Sequence, residues 1–254
     1  MKMNRAFSLS GQTILVTGAS SGIGRACAVT CASMGARVIL LGRNVAALEE
    51  TKTMMSINDH VISPLDLMLF DSIPAKLQEI AQSFGPLSGL AHCAGIHMTR
   101  PLRMLSADNI ADIIKMNVTT GILLAKAFRH QLVCSKPASV VFMSSVVGLV
   151  GQAAITPYAM SKGALLAATK SLAIELAPEE IRVNAVLPGV INTPMSEQLF
   201  EKMGQTQIDE IKAAHPLGLG EPDDVANAVA YLLSPAARWI TGTHLIVDGG
   251  YTAI

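Results

Sequence analysis

Tyr158 and Lys162 lie four residues apart in Tyr-Ala-Met-Ser-Lys, and Ser145 lies thirteen residues before the tyrosine. In a helix, positions i and i+4 share one face, so the ammonium of Lys162 can stand beside the phenol of Tyr158. A neighbouring cation stabilises phenolate and lowers the tyrosine pKa from about 10 towards neutral pH, which makes the phenol a usable general acid or base. The alternative is an exposed Tyr–Lys pair without function, because this spacing also arises by chance.

A glycine-rich turn follows the first predicted strand. Residues 13–17 are predicted to form a buried strand, residues 18–24 carry the spacing G-x-x-x-G-x-G, and an alanine-rich helix is predicted over 25–34. This order lets backbone approach a pyrophosphate closely and offers it the free N–H groups of a helix N-terminus. A tight turn without a ligand is the alternative. The predicted cofactor contacts here are Gly18, Ser20, Ser21, Gly22, Ile23 and Gly24.

Several motifs occur in the order found in the short-chain dehydrogenase/reductase family. They are Thr17-Gly-x-x-x-Gly-Ile-Gly24, Ala94-Gly95, Asn117, Ser145, Tyr158-x-x-x-Lys162 and Pro188-Gly189. The match covers nearly the whole chain, from about Leu9 to Gly250, and the chain resembles 3-oxoacyl-[acyl-carrier-protein] reductase-like members. The resemblance implies an NAD(P)-dependent oxidoreductase that interconverts a ketone and a secondary alcohol.

The resemblance also implies a catalytic set of Asn117, Ser145, Tyr158 and Lys162. Tyr158 would transfer the proton, Ser145 would hold the substrate oxygen, and Lys162 would lower the pKa of Tyr158 and bind the nicotinamide ribose. Ser144 is a rival for the serine role, and an ordinary strand-end serine is the alternative. Asn117 is either a satisfied core asparagine or part of a proton relay that reaches Lys162 through water.

Further cofactor contacts are implied by the resemblance. They are Asp66, Leu67, Cys93, Ala94, Gly95, Tyr158, Lys162, Pro188, Gly189, Ile191 and Thr193. Asp66 resembles an adenine-contacting acid, with a helix N-cap as the alternative. His92-Cys93 stands where the family usually has Asn-Asn, so cofactor affinity or local rigidity is expected to differ.

The end of the second predicted strand bears on cofactor choice. NAD-dependent enzymes place an acid there to bind the two ribose hydroxyls. This chain has Gly42 followed by Arg43, and a guanidinium matches a 2′-phosphate. The alternative is that Arg43 merely begins the next helix in solvent. We therefore predict a preference for NADP(H), with NAD(H) possible.

Bulk properties exclude several classes of function. The chain has 254 residues, 50% hydrophobic, with 19 basic and 19 acidic residues, so nothing favours binding to nucleic acid or an anionic membrane. Residues 1–10 lack the apolar core of a signal peptide, and charged or turn residues interrupt every candidate membrane span. The four cysteines and six histidines show no metal-ligand spacing. We expect a cytoplasmic protein without a metal.

The predicted elements alternate between strand and helix without a linker or repeat. Strands are predicted near 13–17, 36–41, 60–65, 87–92, 138–144, 182–187 and 244–247, and helices near 22–34, 44–56, 70–84, 107–132, 157–177 and 223–233. The strands are continuously apolar, as expected when helices cover both faces. This pattern predicts an α/β fold over residues 1–254: a single-domain, Rossmann-like, doubly wound parallel sheet of about seven strands.

Substrate identity is the least determined property. Residues 190–220 are expected to form a mobile lid over the site, in which apolar residues either face a hydrophobic substrate or serve as the core of a lid helix. His97, Gln152 and Met195 are expected to line the pocket. A 3-oxoacyl reductase is the leading hypothesis. A sugar/polyol or hydroxysteroid dehydrogenase is the alternative, followed by a non-catalytic dinucleotide sensor.

Two expectations concern macromolecular partners. Glu179 and Glu180 stand where reductases of carrier-protein substrates tend to carry a basic residue, which disfavours an acidic carrier protein, although Arg129 and Lys136 can form a basic patch. By resemblance, the chain is expected to form a homotetramer through helices 107–132 and 157–177 and the C-terminal strand and tail.

Overall fold

The computed structural model describes residues 5–56 and 59–253. Within these residues, seven strands form one parallel sheet in the order β3-β2-β1-β4-β5-β6-β7. The strands are β1 Thr13–Thr17, β2 Arg37–Gly42, β3 Val61–Pro64, β4 Leu87–His92, β5 Cys134–Met143, β6 Ile181–Pro188 and β7 His244–Val247. The strand order reverses between β1 and β4, which creates a crevice at their carboxyl ends.

Helices cover both faces of the sheet. They are α1 Gly22–Ser33, α2 Val45–Thr53, α3 Ser72–Phe84, α4 Ala107–Ile114, α5 Thr120–Phe128, α6 Thr156–Leu176, α7 Pro194–Phe200, α8 Gln205–Ala213 and α9 Pro222–Leu233. One apolar cluster joins α1, α2 and α9 to the sheet, and a second joins α3, α5 and α6 to its other face. The predicted doubly wound parallel fold is confirmed. Among the described residues, no helix is both long and apolar enough to cross a membrane.

The central strands are apolar on both sides because both sides are covered. Ile14, Leu15 and Val16 of β1 are fully buried, and alternate residues of this run enter the two clusters. The pairing of β1 with β4 sets Thr17 opposite His92. The carboxyl ends of β1 and β4 therefore lie at the same level, next to the crevice.

The predicted helix over 107–132 is not continuous. Helix α4 ends at Ile114, a π-helical turn spans Lys115–Thr119, and α5 ends at Phe128. The extra residue of a π turn breaks the regular ladder of hydrogen bonds, and such turns occur often at functional sites. Asn117 lies within it and is buried. The apolar pattern runs through this turn without Gly or Pro, which is why the sequence predicts one helix.

Candidate active site

A cleft of about 490 Å³ opens at the carboxyl ends of the strands. The predicted site residues in its lining are Gly18, Ser20, Ser21, Gly22, Ile23, Gly24, Arg43, Asp66, Leu67, Cys93, Ala94, Gly95, Ser145, Tyr158, Lys162, Pro188, Gly189, Ile191 and Thr193. Asn117 is the exception, because it is buried behind the wall of the cleft. His97, Gln152 and Met195 also line it.

The glycine turn after β1 has room for backbone only. Gly18 has a φ of +66°, and a Cβ there would lie 2.9 Å from the Ala94 nitrogen. A Cβ on Gly24 would lie 2.1 Å from the Gly18 oxygen. Helix α1 therefore starts in direct contact with the turn, and its N-terminal N–H groups face the cleft. This cradle fits a dinucleotide pyrophosphate.

Arg25 fixes the same turn from outside. Its guanidinium donates to both carboxylate oxygens of Glu50 at 2.9 Å and to the Ser20 carbonyl at 2.8 Å. Because these contacts occupy its donors, Arg25 is a structural support of the phosphate-binding turn. Its side chain joins the turn to helix α2.

Ser145, Tyr158 and Lys162 meet at the opposite wall. The Lys162 ammonium lies 5.6 Å from the centre of the Tyr158 ring and donates to the Met143 carbonyl at 2.8 Å. Burial raises the pKa of Tyr158 to about 12, and a hydrogen bond with Ser145 offsets only part of this rise. Burial also lowers the pKa of Lys162 to about 8.

The expectation that Lys162 lowers the pKa of Tyr158 is therefore wrong for this structure. The helical spacing does place the two side chains together, but desolvation of the phenol dominates its pKa. The neutral phenol is the favoured state at neutral pH.

The two adjacent serines have different partners. The Ser144 hydroxyl donates to the Lys162 carbonyl at 2.8 Å and is buried. Ser145 accepts from the Val147 backbone at 3.4 Å and interacts with the Tyr158 side chain. Ser144 thus attaches strand β5 to helix α6, and Ser145 is the hydroxyl that faces the phenol.

Asn117 connects three elements through its amide. Its Oδ1 accepts from the Ile96 backbone at 2.8 Å, and its Nδ2 donates to the Ile96 carbonyl at 2.9 Å and to the Ser161 hydroxyl at 3.0 Å. Ser161 in turn donates to the Tyr158 carbonyl at 2.7 Å. The π turn thus fixes both the segment after β4 and the first turns of α6. The water relay remains a prediction, and no motif in the sequence distinguishes Ser161 as a partner.

His92 occupies the place of the usual asparagine at the end of β4. Its Nδ1 lies 2.9 Å from the Thr17 hydroxyl and its Nε2 lies 3.4 Å from the Thr120 hydroxyl. Thr17 also accepts from the Ala94 backbone at 3.1 Å. Burial, with a smaller effect of Lys162, lowers the pKa of His92 to about 3, so the ring is neutral. The buried imidazole links β1, β4 and α5 behind the lining of the cleft.

Arg43 and Asp66 face each other at the far end of the cleft, 4.0 Å apart. Asp66 also accepts from the Met68 backbone at 3.0 Å in a turn. Helix α3 begins only at Ser72, so Asp66 is not its N-cap. Arg43 precedes α2, whose N-cap is Asn44, and its side chain is 67% exposed.

The lid contains two helices, α7 and α8, where the sequence predicted a mobile stretch. Leu199 and Met203, together with Met195, line the cleft and are not buried in a core. His215 anchors the end of the lid, because its Nδ1 lies 2.7 Å from the Ile211 carbonyl and its Nε2 accepts from the Val190 backbone at 3.2 Å. His215 was missed as a functional position because nothing in its neighbours along the chain indicates these contacts.

Comparison with known proteins agrees with this architecture. A family model described as "Enoyl-(Acyl carrier protein) reductase" matches residues 18–252. The chain belongs to the short-chain dehydrogenase/reductase family. It is an oxidoreductase that acts on CH–OH and C=O groups, and the family binds NAD(P)(H).

Three similar proteins show the range of this family. A tropinone reductase homolog of Arabidopsis thaliana is 36% identical, covering 99% of this chain and 96% of its own. A 3-oxoacyl-[acyl-carrier-protein] reductase of Aquifex aeolicus is 35% identical, covering 95% and 98%. The crystal structure of a putative short-chain alcohol dehydrogenase from Sinorhizobium meliloti superimposes with a TM-score of 0.90 at 31% identity, covering 98% and 99%.

Proposed function

We propose that the protein is an NADP(H)-dependent reductase of a ketone, resembling 3-oxoacyl reductases, with Tyr158 as the general acid/base. The observation that carries the proposal is the meeting of Ser145, Tyr158 and Lys162 on one wall of the cleft whose other wall is the glycine cradle. This arrangement brings a proton donor and a dinucleotide-binding turn into reach of one substrate.

Each side chain has a distinct task in this mechanism. The glycine turn at 18–24 would hold a nicotinamide dinucleotide, which would supply or accept the hydride. Tyr158, whose neutral phenol is favoured by burial, donates its proton to the substrate oxygen during reduction and accepts it during oxidation. Ser145 holds the same oxygen and stabilises charge as it develops. Lys162 provides the cation beside the phenol. Asn117 holds the backbone at Ile96, in the segment after β4, in place.

The NADP(H) preference is supported by the availability of Arg43, a cation in the lining of the cleft. Arg25 is engaged by Glu50 and Ser20, whereas Arg43 has one partner at 4.0 Å and is mostly exposed. No carboxylate stands at the end of β2, because residue 42 is glycine. A 2′-phosphate next to Arg43 would gain a charge-assisted hydrogen bond.

Surface charge supports a substrate other than one carried on an acidic protein. Arg129 and Lys136 both pair with Glu179, and this pairing lowers the pKa of Glu179. Glu179 therefore offsets part of the positive charge that a basic patch for an acidic carrier would need. Low-molecular-weight 3-oxoacyl esters and thioesters are the first substrates to test, before sugars, polyols and hydroxysteroids.

The mechanism is tested by Tyr158→Phe, which keeps the ring and removes the transferable proton. We expect turnover to fall at least about a thousandfold while NADPH affinity stays within about threefold. Tyr231→Phe is the matched control. Substantial residual turnover in a folded Tyr158→Phe protein would refute the assigned role of Tyr158. Wild-type inactivity across ketoesters, sugars, diketones and ketosteroids would favour the dinucleotide sensor instead.

We also propose a homotetramer. Small residues lie on the outer side of α6, where Ala167 and Ser171 are exposed, and Ile174 on the same helix is 78% exposed. Small side chains permit close approach of a second helix, and an exposed isoleucine favours burial. Multi-angle light scattering at micromolar concentration tests this proposal, and an active monomer would refute it.

A further inference from the structure

His97 lies in the cleft directly beside the proposed general acid. Its ring packs edge-on against the Tyr158 ring, with the centroids 4.6 Å apart and an interplanar angle of 65°. The backbone next to it is held rigidly, because the Asn117 amide binds both the nitrogen and the carbonyl of Ile96. The position of this imidazole relative to the phenol is thus fixed by the fold.

The hydrogen bonding of His97 differs from that of the buried histidines. His60, His92 and His215 each engage both ring nitrogens in hydrogen bonds. Among residues 5–56 and 59–253, neither nitrogen of His97 has such a partner. The ring is nevertheless half-buried and lines the cleft. A half-buried polar group without a partner is stabilised when a ligand supplies one.

Lys162 is the charged group that acts on His97. The lining of the cleft includes the apolar side chains of Ile96, Val147, Ile155, Met195, Leu199 and Met203. The two charged groups Arg43 and Asp66 lie at the opposite end, after β2 and β3. Burial, with a smaller effect of Lys162, lowers the pKa of His97, which keeps the imidazole neutral. Gln152, an amide-bearing side chain of the cleft lining, is exposed.

We propose that His97 selects the substrate by binding a second, uncharged hydrogen-bonding group that lies within a few bonds of the reacting carbonyl. This inference rests on the proposed function, since Tyr158 marks where that carbonyl binds. A neutral imidazole has one donor and one acceptor nitrogen, so it can pair with either a carbonyl or a hydroxyl. The substrate class is therefore a neutral ketone with an apolar body and an adjacent carbonyl or hydroxyl, such as a 3-oxo ester.

Two ketones of equal chain length test the proposal. Ethyl 3-oxobutanoate and 2-heptanone each have seven chain atoms, but only the ester has the second carbonyl. We expect the wild-type protein to prefer the ester in kcat/KM, and His97→Phe to reduce this preference about tenfold, the size of one lost hydrogen bond in a closed site. His97→Asn, which restores a polar group, should recover part of it. His130→Phe, at an exposed histidine outside the cleft, is the matched control.

These measurements distinguish recognition of the second carbonyl by His97 from packing of its ring against Tyr158. An unchanged preference in His97→Phe, or an equal loss on both ketones, would overturn the proposal, because a ring that only packs against Tyr158 affects both substrates alike. Calorimetric titration of both ketones into Tyr158→Phe protein, with and without His97→Phe, gives the same ratio without turnover. A binding preference that persists after loss of the imidazole overturns the proposal. Loss of the binding preference supports recognition of the second carbonyl by His97, even if Tyr158 proves not to be the general acid/base.

Discussion

On one side of the cleft, the turn at 18–24 packs so closely against α1 and Ala94 that a single Cβ on Gly24 would collide with backbone. On the other side, helices α7 and α8 bury no apolar residue, and Ser196 is the one buried residue of the two. The cofactor side is determined by backbone sterics, which restrict the sequence to glycine at specific positions. The lid side is determined by side chains that face the cleft, which many residue types can provide. Because the turn at 18–24 is tightly packed, its structure can be predicted from its glycine spacing. For the same reason, substitutions there are expected to have large effects.

The largest expected effect comes from adding one methyl group to the cofactor side. Gly24→Ala places a Cβ 2.1 Å from the Gly18 oxygen, so we expect NADPH affinity to fall at least about a hundredfold, with loss of stability. The same substitution at Gly204, where a Cβ has no neighbour within 4 Å, should leave affinity unchanged. Fluorescence titration and thermal unfolding measure both variants. Similar NADPH affinities of Gly24→Ala and Gly204→Ala would contradict the difference in packing between the turn and the lid.

Cofactor choice tests the cofactor side at its far end. A Cβ on Gly42 would meet the Leu48 side chain at 3.4 Å, an ordinary contact, so we expect Gly42→Asp to fold. Its carboxylate should repel a 2′-phosphate and bind ribose hydroxyls, which shifts the ratio of NADP(H) to NAD(H) affinity about a hundredfold towards NAD(H).

The cation beside this position is tested separately. Arg43→Ala should shift the affinity ratio about tenfold, with Lys52→Ala on the exposed face of α2 as control. Equal affinities of the parent protein for the two cofactors, or an unchanged ratio in Arg43→Ala, would show that Arg43 does not bind the phosphate.

The buried imidazole of His92 makes the stability of the fold depend on pH. His92 has a pKa of about 3 in the folded protein, against about 6.5 in an unfolded chain. Between these values the unfolded state binds a proton that the folded state does not, so His92 lowers stability progressively as the pH falls from about 6.5 towards 3.

Replacing the imidazole removes the contribution of His92 to the pH dependence of stability. We expect His92→Asn to reduce the difference in melting temperature between pH 7 and pH 4.5 by about 5 °C, whereas His130→Asn should not. Calorimetry at pH 7 and pH 4.5 measures the melting temperatures of the parent protein and both variants. A variant with the pH dependence of the parent would show that the imidazole is not the origin of this instability.

The smallest effect is expected on the lid side. Met203 lines the cleft and is only half-buried. Met203→Ala should change KM for an apolar ketone about threefold and leave the melting temperature within about 2 °C. Steady-state kinetics and thermal unfolding measure the two quantities. A large loss of stability would mean that the lid has a core of its own, contrary to its burial pattern.

The sequence predicted the local fold around the turn at 18–24, because a strand end, the glycine spacing and a helix start constrain one another. It predicted the seven-stranded parallel sheet because apolar strands alternate with helices. It did not predict the π turn around Asn117, since the apolar pattern continues through that turn without a helix-breaking residue. It also gave the wrong direction for the pKa of Tyr158, because spacing along a helix indicates which groups are adjacent but not how far they are desolvated. His215 also contacts Val190, and Ser161 contacts Asn117; both partners are distant in the chain, so no local pattern indicates these contacts.

The lid begins and ends at one place in the fold. Ile191 forms a bridge with Gly220, the Asn192 nitrogen donates to the Gly220 carbonyl at 2.8 Å, and the Gly220 nitrogen donates to the Val190 carbonyl at 3.1 Å. The segment between Ile191 and Gly220 is thus a loop whose two ends are held together. The entropic cost of closing such a loop rises only slowly with its length. Insertions, deletions or wholesale exchange of this segment therefore leave β6 and α9 where they are. In evolutionary terms, the segment after Thr193 can change, and with it the lining of the cleft, while the glycine turn at 18–24 is inherited intact.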